Sequence, residues 1–101
     1  MVDSAYRCGG GGEPLDALGV VGDDPWGREQ VRLLERLGVD ASGVLTQREG
    51  WATLAYNKPH IEKRESSRFD FGNFNALAAE VADALLEKCR ACISSVDVVI
   101  V

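Results

Sequence analysis

Apolar residues along the chain follow two rhythms, short runs closed by glycine or proline and longer stretches in which they recur at helical spacing. The first run, Leu18-Gly19-Val20-Val21-Gly22, is followed by Asp23-Asp24-Pro25 and predicts a buried strand that ends at a helix start. Asp24 is placed to cap the free amides of that helix. Pro25 suits its first position because proline has no amide hydrogen to leave unpaired. Trp26, Val31, Leu34 and Leu37 then recur near helical spacing, with Arg28, Glu29, Arg32, Glu35 and Arg36 mostly on the other faces. The pattern predicts an amphipathic helix from Pro25 to Leu37. Gly38-Val39 would close it in a left-handed cap, with Val39 folding back against Leu34.

From Gly43 to Phe71 the apolar runs are short and broken: Val44-Leu45, Trp51 to Tyr56 and Phe69 to Phe71, interrupted by polar stretches and Pro59. They predict two or three antiparallel strands, with His60 to Arg68 mostly a solvated turn because it carries Lys63, Arg64 and Arg68 against Glu62 and Glu65. Asn75 is the expected cap of a second helix, from about Ala76 to Cys92, whose Leu77, Val81, Leu85 and Cys89 lie four residues apart. The final Val96-Asp97-Val98-Val99-Ile100-Val101 is β-branched and almost wholly apolar, the pattern of a parallel strand covered on both faces. Such a strand normally hands its carboxyl end to a site-building loop. The sequence stops within it, so the expectation is a fragment. The expected core is Val20, Val21, Leu34, Leu37, Leu77, Val81, Leu85, Val98 and Ile100. Residues 1–17, with Gly9 to Gly12, read as an irregular segment, and 18–101 as one partial domain.

At 101 residues and 46% apolar composition the chain suits one small domain or a piece of one. A formal charge of −5 argues against a nucleic-acid or anionic-membrane surface, because phosphate neutralisation needs clustered Lys and Arg. Any phosphate-bearing partner must be met by a few local cations. No apolar stretch approaches the ~20 residues that span a bilayer, and the first twelve residues lack a signal pattern. A cytoplasmic location is expected.

Three cysteines, Cys8, Cys89 and Cys92, do not suggest a disulfide framework in such a chain. Cys89-x-x-Cys92 has the spacing of half a zinc site, but no second Cys/His pair completes four ligands, so no metal site is assigned. A redox pair usually opens a helix, and this one would close a helix. Gly9 to Gly12 could cradle a phosphate, but no Gly-Lys-Ser/Thr follows and no strand precedes it. Asp23 and Asp24 have the look of paired carboxylates, yet helix capping explains their place before Pro25.

Gly19-Val20-Val21-Gly22-Asp23-Asp24-Pro25-Trp26-Gly27-Arg28, followed after a helix by Leu37-Gly38-Val39-Asp40-Ala41-Ser42-Gly43-Val44, resembles the early region of ribokinase-like (PfkB) carbohydrate kinases. Thr53 to Pro59 and Arg68 to Asn75 resemble the lid and re-entry region of the heptose-phosphate kinase domain in bifunctional heptose kinase/adenylyltransferases. Val96 to Val101 matches the next core strand of that family, so the resemblance runs from Leu18 to Val101. It implies a partial three-layer α/β fold with a small antiparallel lid at about 44–71. It also implies an ATP-dependent, magnesium-requiring transfer of phosphate to a sugar or sugar-phosphate hydroxyl.

The chain departs from the family pattern. Gly9 to Gly12 leads to Glu13-Pro14 with no following asparagine before Asn57, the helix and strand expected between those glycines and the Val-Gly-Asp-Asp strand are missing, and no Gly-Ala-Gly-Asp segment is present. The resemblance therefore implies that the catalytic base, the anion hole and the sites for ATP and magnesium lie outside this sequence, and no catalytic residue is assigned. What it offers for substrate binding is Lys58 and Arg68, cations on the lid for a phosphate, with Asp70 and Asn73 where the lid returns, for hydroxyls. The plainer readings are solvated charges for the first two and an Asx turn around Gly72 for the others. Trp51, Tyr56 and Phe69 suit packing better than stacking on a sugar. A non-catalytic α/β binding or dimerisation module, whose open lid-strand edges could pair with another chain, a second copy included, is the alternative function.

Overall fold

The computed structural model describes residues 14–101, so Cys8 and the Gly9 to Gly12 run lie outside the described residues. The chain opens with strand β1, Asp16–Gly22, two residues earlier than the apolar run alone predicts. Pairing with Asp40 draws Asp16 in, and Asp40 N donates to Leu15 O at 2.9 Å. Helix α1, Pro25–Arg36, follows as expected, with Pro25 in its first turn. Its end is a complete glycine cap: Gly38 sits at φ +78°, Gly38 N donates to Glu35 O at 2.9 Å, and Val39 N donates to Leu34 O at 3.0 Å. Val39 is thereby folded onto Leu34. Together with Ala41 they form the buried cluster, flanked by Leu15, Ala17, Val31 and Val44.

Strand β2, Asp40–Gln47, runs parallel to β1, with Val20 opposite Leu45 and Gly22 opposite Gln47. This corrects the antiparallel assignment of Val44-Leu45. The helix between the strands carries the chain back to its starting end, and a crossover of that length leaves parallel pairing as the natural outcome. Strand alternation sets the layers. Val21 and Thr46 line a groove beside α1, whereas Gln47, pointing the other way, bonds the segment leading into the second helix.

Beyond Gln47 a thin ribbon projects. Strands β3, Ala55–Asn57, β4, His60–Ile61, β5, Arg64–Glu65, and β6, Phe69–Phe71, form two antiparallel pairs, β3 with β6 and β4 with β5. The expected solvated turn at 60–68 is this exposed hairpin. Its tip, Glu62 and Lys63, takes φ of 50° and 65°, a pair of left-handed residues that matches the twist of a tight hairpin.

Helix α2, Ala79–Ile93, touches both β1 and β2. It starts three residues later than expected, and Asn75 does not cap it. Ala78 is the cap residue and offers no side-chain bond; Gln47 Oε1 accepts the Ala78 amide at 3.0 Å instead. Val81, Leu85 and Cys89 are half-buried, as one face of a helix on a narrow sheet must be, and Leu77 is exposed ahead of it.

The last segment overturns its expectation. Val96 to Val101 pairs with no strand, and Val98 and Ile100 are 74% and 71% exposed. β-branched residues favour a strand only where a neighbour supplies ladder partners and cover, and neither β1 nor β2 does so. Leu37, at the helix cap, is also outside the core. The arrangement is a small mixed α/β unit whose strands pair only two by two, not the multi-stranded central sheet of a ribokinase-like fold. No helix among the described residues is long and apolar enough to cross a membrane.

Candidate functional site at the root of the ribbon

Two legs of chain connect the ribbon to the α/β unit, Arg48 to Leu54 going out and Gly72 to Ala78 coming back. Asn75 ties them by mimicking a strand: its Oδ1 accepts the Ala52 amide and its Nδ2 donates to Ala52 O, both at 2.8 Å. Ala76 N adds a bond to Gly50 O at 3.0 Å. Gln47, 5% exposed, anchors the returning leg to the end of β2, its Nε2 donating to Glu49 O at 2.7 Å and Ala76 O at 2.8 Å. Every polar atom of that buried side chain is thus engaged, as burial requires.

The outgoing leg is fixed by Thr53, 4% exposed. Its hydroxyl accepts the Gly22 amide at 2.9 Å and donates to Asp24 Oδ1 at 2.7 Å, while its amide donates to Asp24 Oδ2 at 2.9 Å. Asp24 Oδ1 also accepts Gly27 N at 2.7 Å, which is the helix cap expected from the sequence. Burial alone would push the Asp24 carboxyl up. The bonds from Thr53 and Gly27 and the nearby Arg28 charge outweigh it and hold the group below the usual carboxylate value.

A cleft of about 430 Å³ opens between the legs, lined by Trp51, Ala52, Asp70, Gly72, Asn73 and Phe74 among others. It brings together two of the four residues proposed from sequence, Asp70 and Asn73. Arg68 does not line the cleft and reaches it only through its bond to Asp70. On the β3–β6 ribbon Tyr56 lies opposite Asp70, and Arg68, two residues before Asp70, shares their face. The guanidinium packs 5.0 Å from the Tyr56 ring centre and donates from Nη2 to Asp70 Oδ2 at 3.0 Å. Its Nε lies 2.8 Å from Asp70 Oδ1 as an ion-pair contact, but off the N–H direction, so Oδ1 is shielded from water and accepts no directed hydrogen bond. Lys58 is elsewhere, paired with Glu65 at 3.1 Å, and does not line the cleft.

The second cleft, about 270 Å³, runs along α1. Its cations are already engaged, Arg28 with Asp23 at 3.2 Å and Arg32 with Glu29. Among the described residues no three His, Cys, Asp or Glu side chains are grouped where they could share a metal ion. Cys89 and Cys92 are both free thiols near the end of α2, and Cys92 Sγ lies 3.5 Å from Cys89 O. Thr53, Gln47 and the paired role of Asn75 were not visible in the sequence. Thr53 lies 29 residues from its partner Asp24, and no local spacing announces a bond of that reach.

No known family profile matches the chain, and no solved structure matches it. Among curated proteins it is similar to bifunctional protein HldE of Wolinella succinogenes, 31% identical over 84 residues. That stretch is 83% of this chain and 18% of the relative's length, so the chain spans less than a fifth of the protein it matches. The relationship is distant and partial.

Proposed function

We propose that the chain is the substrate-lid region of a sugar-phosphate kinase, akin to the heptose-phosphate kinase domain of bifunctional kinase/adenylyltransferases. The likeness to HldE over 83% of the chain carries the proposal. The root cleft supports it, since its lining combines the polar side chains Asp70 and Asn73 with the aromatic Trp51 and Phe74, groups suited to sugar hydroxyls and ring faces. In this reading Asp70 and Asn73 hold hydroxyls, and Arg68, with Lys58 further out, offers charge to the phosphate end. The complete kinase would transfer the γ-phosphate of ATP, with magnesium, using residues that this sequence does not contain.

Both cations already pair with carboxylates and are more than half exposed. A sugar phosphate must compete with those pairs, so one such contact adds only about 1 kcal/mol. Affinity for the chain alone is then on the order of millimolar. Phosphoryl transfer depends on positioning and preorganised charge at the transferring group, so the chain alone should not turn over.

Isothermal titration with a heptose phosphate and with ATP-magnesium, on the chain and on Arg68→Ala and Lys58→Ala, tests this. Weak sugar-phosphate binding reduced by Arg68→Ala, without ATP binding, is expected. Micromolar ATP binding, or sugar-phosphate binding indifferent to both substitutions, would refute it. The alternative, a homodimerising module, is favoured by the exposure of Phe69 and Phe71 on the ribbon. Sedimentation showing a dimer that Phe69→Ser abolishes would select it.

A further inference from the structure

We propose that Cys89 and Cys92 form a two-thiolate site on α2 for a single soft cation of the Cu(I) kind. The site is independent of whatever ligand the root cleft takes.

Both thiols are free and half-buried, one helical turn apart near the end of α2. At positions three residues apart they share a face, with Cβ atoms about 5–6 Å from each other. Cys92 is turned back along the helix toward its neighbour, its S–H donating to Cys89 O at 3.5 Å. An S–H is a weak donor, so surrendering that bond costs the helix little. The turn is closed independently of the thiols, because the Ser95 amide and hydroxyl both donate to Cys92 O, at 3.0 and 2.8 Å.

That spacing selects among the reactions open to a thiol pair. A disulfide needs Cβ atoms about 3.5–4.5 Å apart, so the last turn of α2 would have to tighten by about 1 Å or more. Two metal–sulfur bonds in line, at about 2.3 Å each, span about 4.6 Å between sulfurs. Thiols on one face reach that span by rotating about their Cα–Cβ bonds, with the helix left intact.

The surroundings select the ion. Among the described residues no third His, Cys, Asp or Glu completes a group with the pair, so the cation must be satisfied by two ligands. Zinc would lack half its tetrahedron, and magnesium or calcium would find no oxygen donors. Thiolates favour Cu(I), a soft closed-shell ion that accepts two sulfurs in line. The helical neighbours of Cys89 are Leu85, Leu86, Cys92 and Ile93, so the flank of the site is apolar and brings no hard ligand. Glu87 and Arg90 pair with each other at 3.1 Å on the far side of the helix. Binding replaces two S–H bonds by two S–Cu bonds, and both protons go to water. The one net negative charge that results lies beside Lys88, four residues before Cys92, whose ammonium also acts on Asp40.

Anaerobic titration of the whole reduced chain with Cu(I), in competition with the chelator bicinchoninate, tests the site. The chain should retain one ion, with two sulfur neighbours in X-ray absorption and unchanged helical circular dichroism. Cys89→Ser and Cys92→Ser should each weaken retention by more than the roughly 10–100-fold that loss of a hydrogen-bond partner to a metal ligand costs. Cys89→Ala and Cys92→Ala repeat the test should a serine variant not fold. Cys8→Ser, outside the described residues, should change nothing, and equimolar Zn(II) should not displace the ion. No retention by the native chain, retention by both single variants, loss in Cys8→Ser, displacement by zinc, one ion shared between two chains in sedimentation, or unwinding of α2 on loading would each overturn the proposal.

Discussion

Gly27→Ala should destabilise the protein, although the same change in an ordinary helix interior gains about 1 kcal/mol. Gly27 lies in the first turn of α1, buried against the end of β1. A methyl group there would sit 2.4 Å from Gly22 O, about 1 Å inside ordinary carbon–oxygen contact, with Thr53 Oγ1 at 2.9 Å and Val21 Cβ at 3.1 Å also crowded. The nearest obstacle is a backbone carbonyl, which cannot rotate away as a side chain could. Helix and strand must separate, at an overpacking cost near the upper end of about 1–3 kcal/mol. Subtracting the propensity gain leaves a net loss of about 2 kcal/mol, or a fall in Tm of roughly 10 °C for a chain this size. Two other glycines calibrate the result. Gly19→Ala meets nothing within 4 Å and should be neutral or slightly stabilising. Gly38→Ala also meets open space, but at φ +78° it should lose about 1 kcal/mol from backbone strain alone. Thermal unfolding followed by the fluorescence of Trp26 and Trp51 reads all three. Stabilisation by Gly27→Ala, or an equal loss at Gly19, would refute the close approach of α1 to β1 and Thr53.

Asp24 should mark the acid limb of stability. Its folded carboxyl is held below the ordinary 3.8, so its contribution is present above that value and is lost as pH falls through the lower folded value. The stability gap between the native chain and Asp24→Asn in urea titrations should close over that window; a gap that widens on acidification would contradict the hydrogen-bond assignment. Gln47→Ala strips two carbonyls and an amide of their partner and should cost about 1–3 kcal/mol in urea unfolding. A loss within about 0.5 kcal/mol would mean that water replaces the side chain freely. Leu34→Ala should cost about 2–5 kcal/mol and Leu37→Ala far less, because only Leu34 belongs to the buried cluster. Equal losses would restore Leu37 to the core.

The strand, helix and cap from Leu18 to Val39 were legible because their signals are local: glycine-bounded apolar residues, Asp24 before Pro25, and Gly38 after Leu37; Asp16 and Ala17 join the strand only through pairing with β2. The ribbon was legible as broken antiparallel pieces, though not that Val44-Leu45 belongs to a parallel strand, since pairing partners are chosen by the crossover rather than by the residues themselves. Asn75 reads as a helix cap from its neighbours and instead bonds Ala52, 23 residues away. Val96 to Val101 shows the converse failure. Its composition states a preference for a ladder, and the described strands do not provide one. Asp70 and Asn73, named through the resemblance, both line the root cleft, but nothing in the spacing of the chain separates them from Lys58, which pairs with Glu65 outside it.

The central claim, that the cleft at the root of the ribbon takes a sugar phosphate, is tested most directly by amide chemical-shift mapping during titration with a heptose phosphate. The account predicts saturable shifts, on the order of millimolar, centred on Ala52, Asp70, Gly72 and Asn73, and abolished by Asp70→Ala while the β1 and β2 resonances stay in place. Shifts confined to the groove along α1, or none at saturating ligand, would contradict it.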